Sequence, residues 1–424
     1  MKSVRTPGRL GSLQAFEITI EKVVYGGMGL GRHEGKVVFV PFSTAGDKLL
    51  VRVVQRKKNL IRASIERVLA PGPTRREPDC IHFGTCGGCQ WQHMDYAAQV
   101  ETKRLILQEL FHHRFPETRK LGIGMKPSPE FLGYRSRARL QLRGFGKESL
   151  VGFYRFQSHD LVDVERCPLF QPSLNQALAA IREQWKEGKA DPGAMQVELI
   201  CSEQEGRWAS SEIERDLEEG FSSLGKIEAS APNRPLLTRT IGEFEYQVAP
   251  QVFFQANDFM ISELVSVVME SVAGAGHNSA LDLFSGIGLF SLPLGRRFRN
   301  VTAVESAPEA GRMCRENAEG AGLENIRVVC ADASAWMRTI AAVGAPGFDL
   351  IVLDPPRTGA GVTVMEQITD WAPKRIVYVS CDPQTLVRDL ALLPERDYGI
   401  DSIQGLDLFP QTYHFETVVR LQRH

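Results

Sequence analysis

Residues 376–385, IVYVSCDPQT, place a lone thiol, Cys381, where an apolar, β-branched run breaks off at Asp382 and Pro383. A run of this kind reads as a buried strand. A thiol at the end of such a strand is a candidate nucleophile, and a small core residue is the alternative. Other reactive groups fall at the ends of other apolar runs. LDLFSGIGLF, 281–290, sets Gly286 and Gly288 directly after a strand, as a turn must where backbone approaches a ligand closely. Leu289 to Pro293 supplies no third glycine of the dinucleotide pattern. Glu305 ends the next run, where a carboxylate can accept both hydroxyls of a ribose, and Asp332 ends the third, placed for an adenine amino group. Taken together these fit S-adenosylmethionine better than NAD, although each strand-end acid alone also fits a helix cap. Asp354, in LDPPRTG, ends the fourth run and is held extended by the prolines behind it.

These residues share an edge only if the runs are strands of one sheet. From about residue 278 strand and helix patterns alternate, which predicts a parallel, doubly wound sheet with ligands at its carboxyl edge. Residues 14–68 read instead as short strands with glycine turns, a small β-barrel. Its basic residues Lys48, Arg52, Arg56, Lys57, Lys58, Arg62 and Arg67 fit a phosphate backbone or a solvated face. APGPTRREPDC, 70–80, is a break, and 97–115 carries helical periodicity. In FLGYRSRARLQLRGFG, strand alternation puts Arg135, Arg137, Arg139 and Arg143 on one face. RNA phosphate is the expected counter-ion, with a salt-bridged face as the alternative. Residues 183–195 and 202–210 read as surface loops. Cys80, Cys86 and Cys89 follow C-x5-C-x2-C, and Cys167 stands far downstream. Four such thiols suit a metal or an iron–sulfur cluster; zinc and uncoordinated thiols stay open.

The 424 residues suffice for two or three domains, so the expectation is a multidomain α/β protein: a barrel at 14–68, a central domain at 75–250 and a Rossmann-like domain at 251–424. A net charge of −1 argues against a wholly basic nucleic-acid binder, and no apolar run is long enough to span a bilayer. The N-terminus reads as a polar tail without a signal segment, and a cytoplasmic monomer is expected.

VSCDPQTLVRDL and LDLFPQTYHFETVV, 406–419, resemble the closing motifs of the S-adenosylmethionine-dependent RNA uracil-5-methyltransferases. The resemblance implies that Cys381 adds to carbon 6 of uracil and that Glu416 removes the proton from carbon 5. The apolar setting of Glu416 would raise its pKa, and a strand-edge carboxylate is its other reading. FFQAN, 253–257, resembles the family's entry to the methyltransferase domain, matching Gln255 to a cofactor contact and Phe253 to the family's aromatic there. Phe284, Glu305, Asp332 and Asp354 fall on the remaining cofactor or substrate positions. Leu289 departs from the asparagine of some members. The cysteine pattern is similar to the [4Fe-4S] site of the ribosomal RNA branch, and its spacing differs from that of radical enzymes. Residues 14–68 resemble a TRAM domain. The resemblance implies 23S ribosomal RNA as substrate, with transfer RNA open. Two rivals differ in class: an exocyclic-amine methyltransferase, which needs no cysteine, and a noncatalytic RNA-binding or redox-sensing protein.

Overall fold

The computed structural model of the chain describes residues 15–144, 146–187, 195–212, 236–344 and 347–424. The polar N-terminal tail and residues 188–194 of the expected surface loop lie outside them. Two compact units emerge: one runs to Gly84 and adds Gly88–Thr102 and Gln411–Tyr413; the other holds Thr85–Gly87, Lys103–Pro410 and His414–His424.

The first unit contains β1 (Ala15–Thr19), β2 (Lys22–Val24), β3 (Met28–His33), β4 (Lys36–Pro41), β5 (Lys48–Arg56) and β6 (Leu60–Ala70), in the order β1-β5-β6-β4-β3-β2. Alternation along β5 buries Leu49, Val51 and Val53 with Val38, Val40 and Ile61. Gly31 passes so close to β1 that a Cβ would lie 2.6 Å from Thr19 O. All seven basic residues from Lys48 to Arg67 are exposed, one of them, Arg52, paired with Glu66.

Helix α1 spans Tyr96–Arg114, within a residue of the expected bounds. In the second unit, β7 is Gly124–Lys126, followed by β8 (Arg137–Arg143), β9 (Leu150–Tyr154), β10 (Leu161–Asp163), α2 (Pro172–Lys186), β11 (Met195–Ser202) and β12 (Arg207–Glu212). Strands β10-β9-β8-β11-β12 form one sheet, whose apolar cluster includes Leu174, Leu178, Ile181 and Trp185 of α2. Residues 183–186, expected in a loop, finish α2 because Trp185 continues its buried stripe. Residues 202–210, also expected as a loop, close the β11–β12 hairpin, with Trp208 opposite Cys201.

Next come the hairpin β13 (Leu237–Ile241) and β14 (Phe244–Val248), α3 (Asp258–Val272), β15 (Ser279–Leu283), α4 (Ser291–Arg297), β16 (Asn300–Glu305), α5 (Pro308–Gly320) and β17 (Ile326–Cys330). They are followed by α6 (Ala333–Ala341), β18 (Leu350–Leu353), α7 (Val362–Trp371), β19 (Arg375–Ser380), α8 (Pro383–Leu390), β20 (Tyr398–Leu406) and β21 (Glu416–Arg423). The sheet order is β17-β16-β15-β18-β19-β21-β20-β7. Its first five strands are parallel, as expected, and β18 and β19 are buried at every residue, which is why their runs lack polar alternation. Strand β21 instead enters antiparallel to β19, and β7 closes the far edge parallel to β20. Ile200 and Ala209 of β11 and β12 join the same core as this sheet, so the expected boundary at residue 250 does not divide the packing.

Candidate active site at the carboxyl edge of the sheet

The strand order reverses between β15 and β18, and the crevice beyond their carboxyl ends is where such sheets bind ligands. The turn after β15 holds Phe284 and Gly286 in the left-handed region, at φ 62° and 55°. Around Gly286 the space that a Cβ would enter is open. Gly286 N donates to Glu305 Oε2 at 2.9 Å, and Ala307 N to Glu305 Oε1 at 2.7 Å, so the carboxylate at the end of β16 is fixed beside the glycine turn. Beneath it Asp282 is fully buried and accepts from Ser291 Oγ at 2.5 Å. Burial, with the charge of Glu305 adding to it, raises Asp282 to about 7.

Gln255 lies on the segment leading into α3, buried, and its Oε1 has no partner among the described residues; neither has the buried Ser285 Oγ. A buried amide oxygen left without a donor marks a place for a ligand. The open glycine turn, the fixed carboxylate and these two oxygens fit S-adenosylmethionine. Asp332 is exposed and caps α6, its Oδ1 accepting from Ser334 Oγ at 2.6 Å and Ala335 N at 2.9 Å. Those bonds, the Ser334 hydroxyl first, hold its pKa below the usual value.

Cys381 sits between the last residue of β19 and a helix start. Ser380 Oγ bonds both the backbone N (3.1 Å) and the O (3.0 Å) of Asp382, while Asp382 Oδ1 caps α8 from Gln384 N at 2.9 Å and Thr385 N at 3.1 Å. The thiol is thus held half-buried in a turn fixed on both sides. The β19–β21 register ends at Ser380 with Thr417, and the residues that directly flank this last pair are Cys381 and Glu416. Sequence placed these residues 35 apart in different motifs; the antiparallel strand unites them.

Burial is the main cause that pushes the Cys381 thiol up to about 12; the charges of Glu416 and Asp354 add to it, and Arg357 opposes it. Glu416 is buried, its Oε2 without a partner among the described residues, and its pKa stands well above the carboxylate range through burial and then Asp354. Asp354 rises to about 7, by burial and then Asp282. Arg357 was not singled out from sequence, although a cation directly after Asp-Pro-Pro was the available signal. Its charge acts on Cys381, Glu416 and His414, the last lowered by burial to about 3.

Phe253 is 71% exposed, unusual for a large aromatic beside a buried Gln255. Part of the arginine row has a counter-charge within the protein, the carboxylate of Glu198. Arg137 donates to Val252 O and Pro250 O and pairs with Glu198 of β11, and Arg139 Nε reaches Glu198 Oε1 at 2.9 Å. For Arg137, 12% exposed, RNA phosphate as the counter-ion is therefore corrected: its guanidinium holds the backbone leading to Phe253. Arg139 is 59% exposed, and Arg135 precedes the strand, its Nε donating to Arg137 O at 2.7 Å.

Cys80, Cys86, Cys89 and Cys167 are half-buried. In the second unit, Cys86 and Cys167 both pack on the cluster of the central sheet. Among the described residues, no three His, Cys, Asp or Glu side chains are grouped to hold a metal ion. No described helix is long and apolar enough to cross a membrane.

Residues 236–424 match the tRNA (Uracil-5-)-methyltransferase family and residues 13–65 the TRAM domain. The 23S rRNA (uracil(1939)-C(5))-methyltransferase RlmD of Pectobacterium atrosepticum is 35% identical over 95% of this chain and 92% of its own. That of Klebsiella pneumoniae is 34% identical over 98% and 97%. The crystal structure of Pyrococcus abyssi tRNA (uracil-54, C5)-methyltransferase in complex with S-adenosyl-L-homocysteine superposes with a TM-score of 0.74 at 27% identity, covering 96% of this chain and all of that one. With relatives alike over nearly its whole length, the chain belongs to the RNA uracil-5-methyltransferase family and is an S-adenosylmethionine-dependent enzyme carrying a TRAM domain.

Proposed function

We propose that this enzyme methylates carbon 5 of a uridine in 23S ribosomal RNA through a covalent adduct with Cys381. The observation that carries the mechanism is that Cys381 and Glu416 directly flank the last pair of the β19–β21 register, Ser380 with Thr417, where the charge of Glu416 acts on the thiol. The substrate reading rests on the relatives that act on 23S rRNA and match over nearly the whole chain. The Pyrococcus relative makes transfer RNA the second reading.

Carbon 5 of uracil is too weakly nucleophilic to attack a sulfonium unaided. Cys381 loses its proton to solvent, the thiolate Sγ bonds to carbon 6, and the π electrons move through carbon 5 to oxygen 4, returning to carbon 5 as it takes the methyl group. S-adenosylmethionine supplies the methyl group to carbon 5 and leaves as S-adenosylhomocysteine. Glu416 then takes the proton from carbon 5, the ring double bond reforms, and the Sγ–carbon 6 bond breaks. Asp354 acts with this pair more than with the cofactor: its charge acts on Cys381 and Glu416, and with a pKa of about 7 its protonated form can donate to a uracil oxygen. Gln255, Phe284, Gly286, Glu305 and Asp332 hold the cofactor. The base must leave its stack to meet a half-buried thiol, and exposed Phe253 offers a face on which it can stack. Arg135, Arg139 and the basic face of the barrel take RNA phosphates.

The test is a covalent trap with S-adenosylmethionine and RNA carrying 5-fluorouridine, whose fluorine cannot leave as a proton. A denaturation-resistant adduct with 23S fragments, absent in Cys381→Ala, is expected. Protein that binds S-adenosylmethionine yet forms no adduct with any RNA would favour amine methylation instead.

We also infer a [4Fe-4S] cluster on Cys80, Cys86, Cys89 and Cys167. It rests on the cysteine spacing and on the shared apolar cluster that Cys86 and Cys167 pack against. Iron and acid-labile sulfide in anaerobically purified protein, both lost in Cys167→Ser, are expected. Zinc in their place would overturn the inference.

A further inference from the structure

Asp389 of α8 is fully buried, and its partners converge from two other segments. Asp389 Oδ2 accepts from Tyr378 Oη on β19 at 2.7 Å and from Ala360 N at 2.7 Å. Its Oδ1 accepts from Arg388 Nε at 3.0 Å and Nη2 at 2.7 Å, and the same Nη2 donates to Thr358 O at 2.7 Å. Between those two anchored residues Gly359 stands at φ 84°, and a Cβ on it would collide with the Asp389 carboxylate and the Arg388 guanidinium. The anchored residues belong to the loop between β18 and α7, the loop that begins with Asp354 and carries Arg357. Helix α8 is the one that follows Cys381.

We propose that Asp389 is a positioning residue that ties the Asp354–Gly361 loop to the nucleophile's helix, and so sets Asp354 and Arg357 against Cys381 and Glu416. The proposal rests on the reading that Cys381 and Glu416 are the reacting pair. A buried carboxylate that served packing alone would need partners on its own element or its nearest strand. Arg388 and Tyr378 are partners of that kind, but the bond from Ala360 N, and the bond of Arg388 to Thr358 O, reach a loop that has glycine where any side chain would break them. Tyr378 is buried at the same point, and burial, with Asp389 beside it, raises its pKa. Its hydroxyl therefore stays a donor throughout the working pH range. A loop released from this anchor would let Asp354 and Arg357 drift from the thiol, and displacement of about 1 Å can slow a reaction on the order of 10²-fold.

The experiment measures the rate of adduct formation on 5-fluorouridine RNA for Asp389→Asn, Gly359→Ala and Tyr378→Phe, with S-adenosylmethionine affinity by calorimetry and thermal melting alongside. Asp389→Asn and Gly359→Ala are expected to slow the adduct on the order of 10²-fold and Tyr378→Phe several-fold, with cofactor affinity kept. The Asp389→Asn/Gly359→Ala pair is expected to be no slower than the slower single variant, since both release one contact. Wild-type adduct rates per folded molecule, multiplying losses, or cofactor affinity falling in parallel would each overturn the proposal. Tyr378→Phe, which fills the same space, keeps the test open where Asp389→Asn fails to fold. No adduct from wild-type protein would sink the proposed function itself, and this inference with it; adduct from wild type and equally from the variants would sink only the inference.

Discussion

At the site, Cys381 and Glu416 start from opposite requirements. The thiol must lose a proton to attack, and burial holds it near 12; the base must be ionised to act, and burial holds it protonated well above the usual carboxylate range. Both groups become competent only as pH rises, so single-turnover methylation is expected to climb from neutral into alkaline solution. Glu416→Gln separates the two. The amide fills the same space but takes no proton, so turnover is expected to fall by about 10²- to 10⁴-fold, while the methylated adduct accumulates on ordinary uridine RNA. Turnover at the wild-type rate in Glu416→Gln, measured by release of methylated RNA, would remove Glu416 from the base role.

Strands and helices decide how much of this the sequence could show. The parallel strands were legible because central strands buried on both faces read as unbroken apolar runs, and Glu305, Asp332, Asp354 and Cys381 each ended or closely followed one of them. The pairing of Cys381 with Glu416 was not, because an antiparallel strand added after a long excursion leaves no mark of which neighbour it joins. Arg137 misled for a related reason. Alternation correctly gave its face, but its carboxylate partner, Glu198, sits opposite the next arginine, Arg139, on a strand far along the chain. A further non-local element fixes the approach to Glu416: Lys103 of α1 and Asp407 are both fully buried, with Nζ 2.6 Å from Oδ1, and Lys103 Nζ also donates to Phe409 O at 3.1 Å. Removing one charge strands the other in the interior, so Lys103→Met is expected to destabilise the second unit by about 3–5 kcal/mol. Replacing both, as Lys103→Met/Asp407→Leu, should recover most of that loss. Denaturant melts of the singles and the double check it, and a double as unstable as either single would assign the loss to packing.

Across the whole molecule, the same burial that tunes the site sets a pH limit on the fold. Asp282 lies fully buried under the glycine turn with a pKa of about 7, and Asp354 stands at about the same value. Each binds its proton more tightly folded than unfolded. Their contribution to stability is complete below the unfolded value, about 4, and is lost as pH rises to about 7. A shift of roughly 3 units corresponds to about 4 kcal/mol for an isolated group; the two acids interact, so their sum is smaller than twice that. Asp282→Asn has no proton to lose. Its amide nitrogen takes the place of Oδ1, which has no partner among the described residues, and the unmet donors cost about 1–3 kcal/mol at every pH. The diagnostic quantity is therefore the slope: wild-type melting temperature is expected to fall between about pH 5 and pH 7, and Asp282→Asn to fall less over the same interval. Equal slopes in the two proteins would mean that Asp282 is ionised in the folded state, and that the cofactor crevice is wetter than its burial indicates.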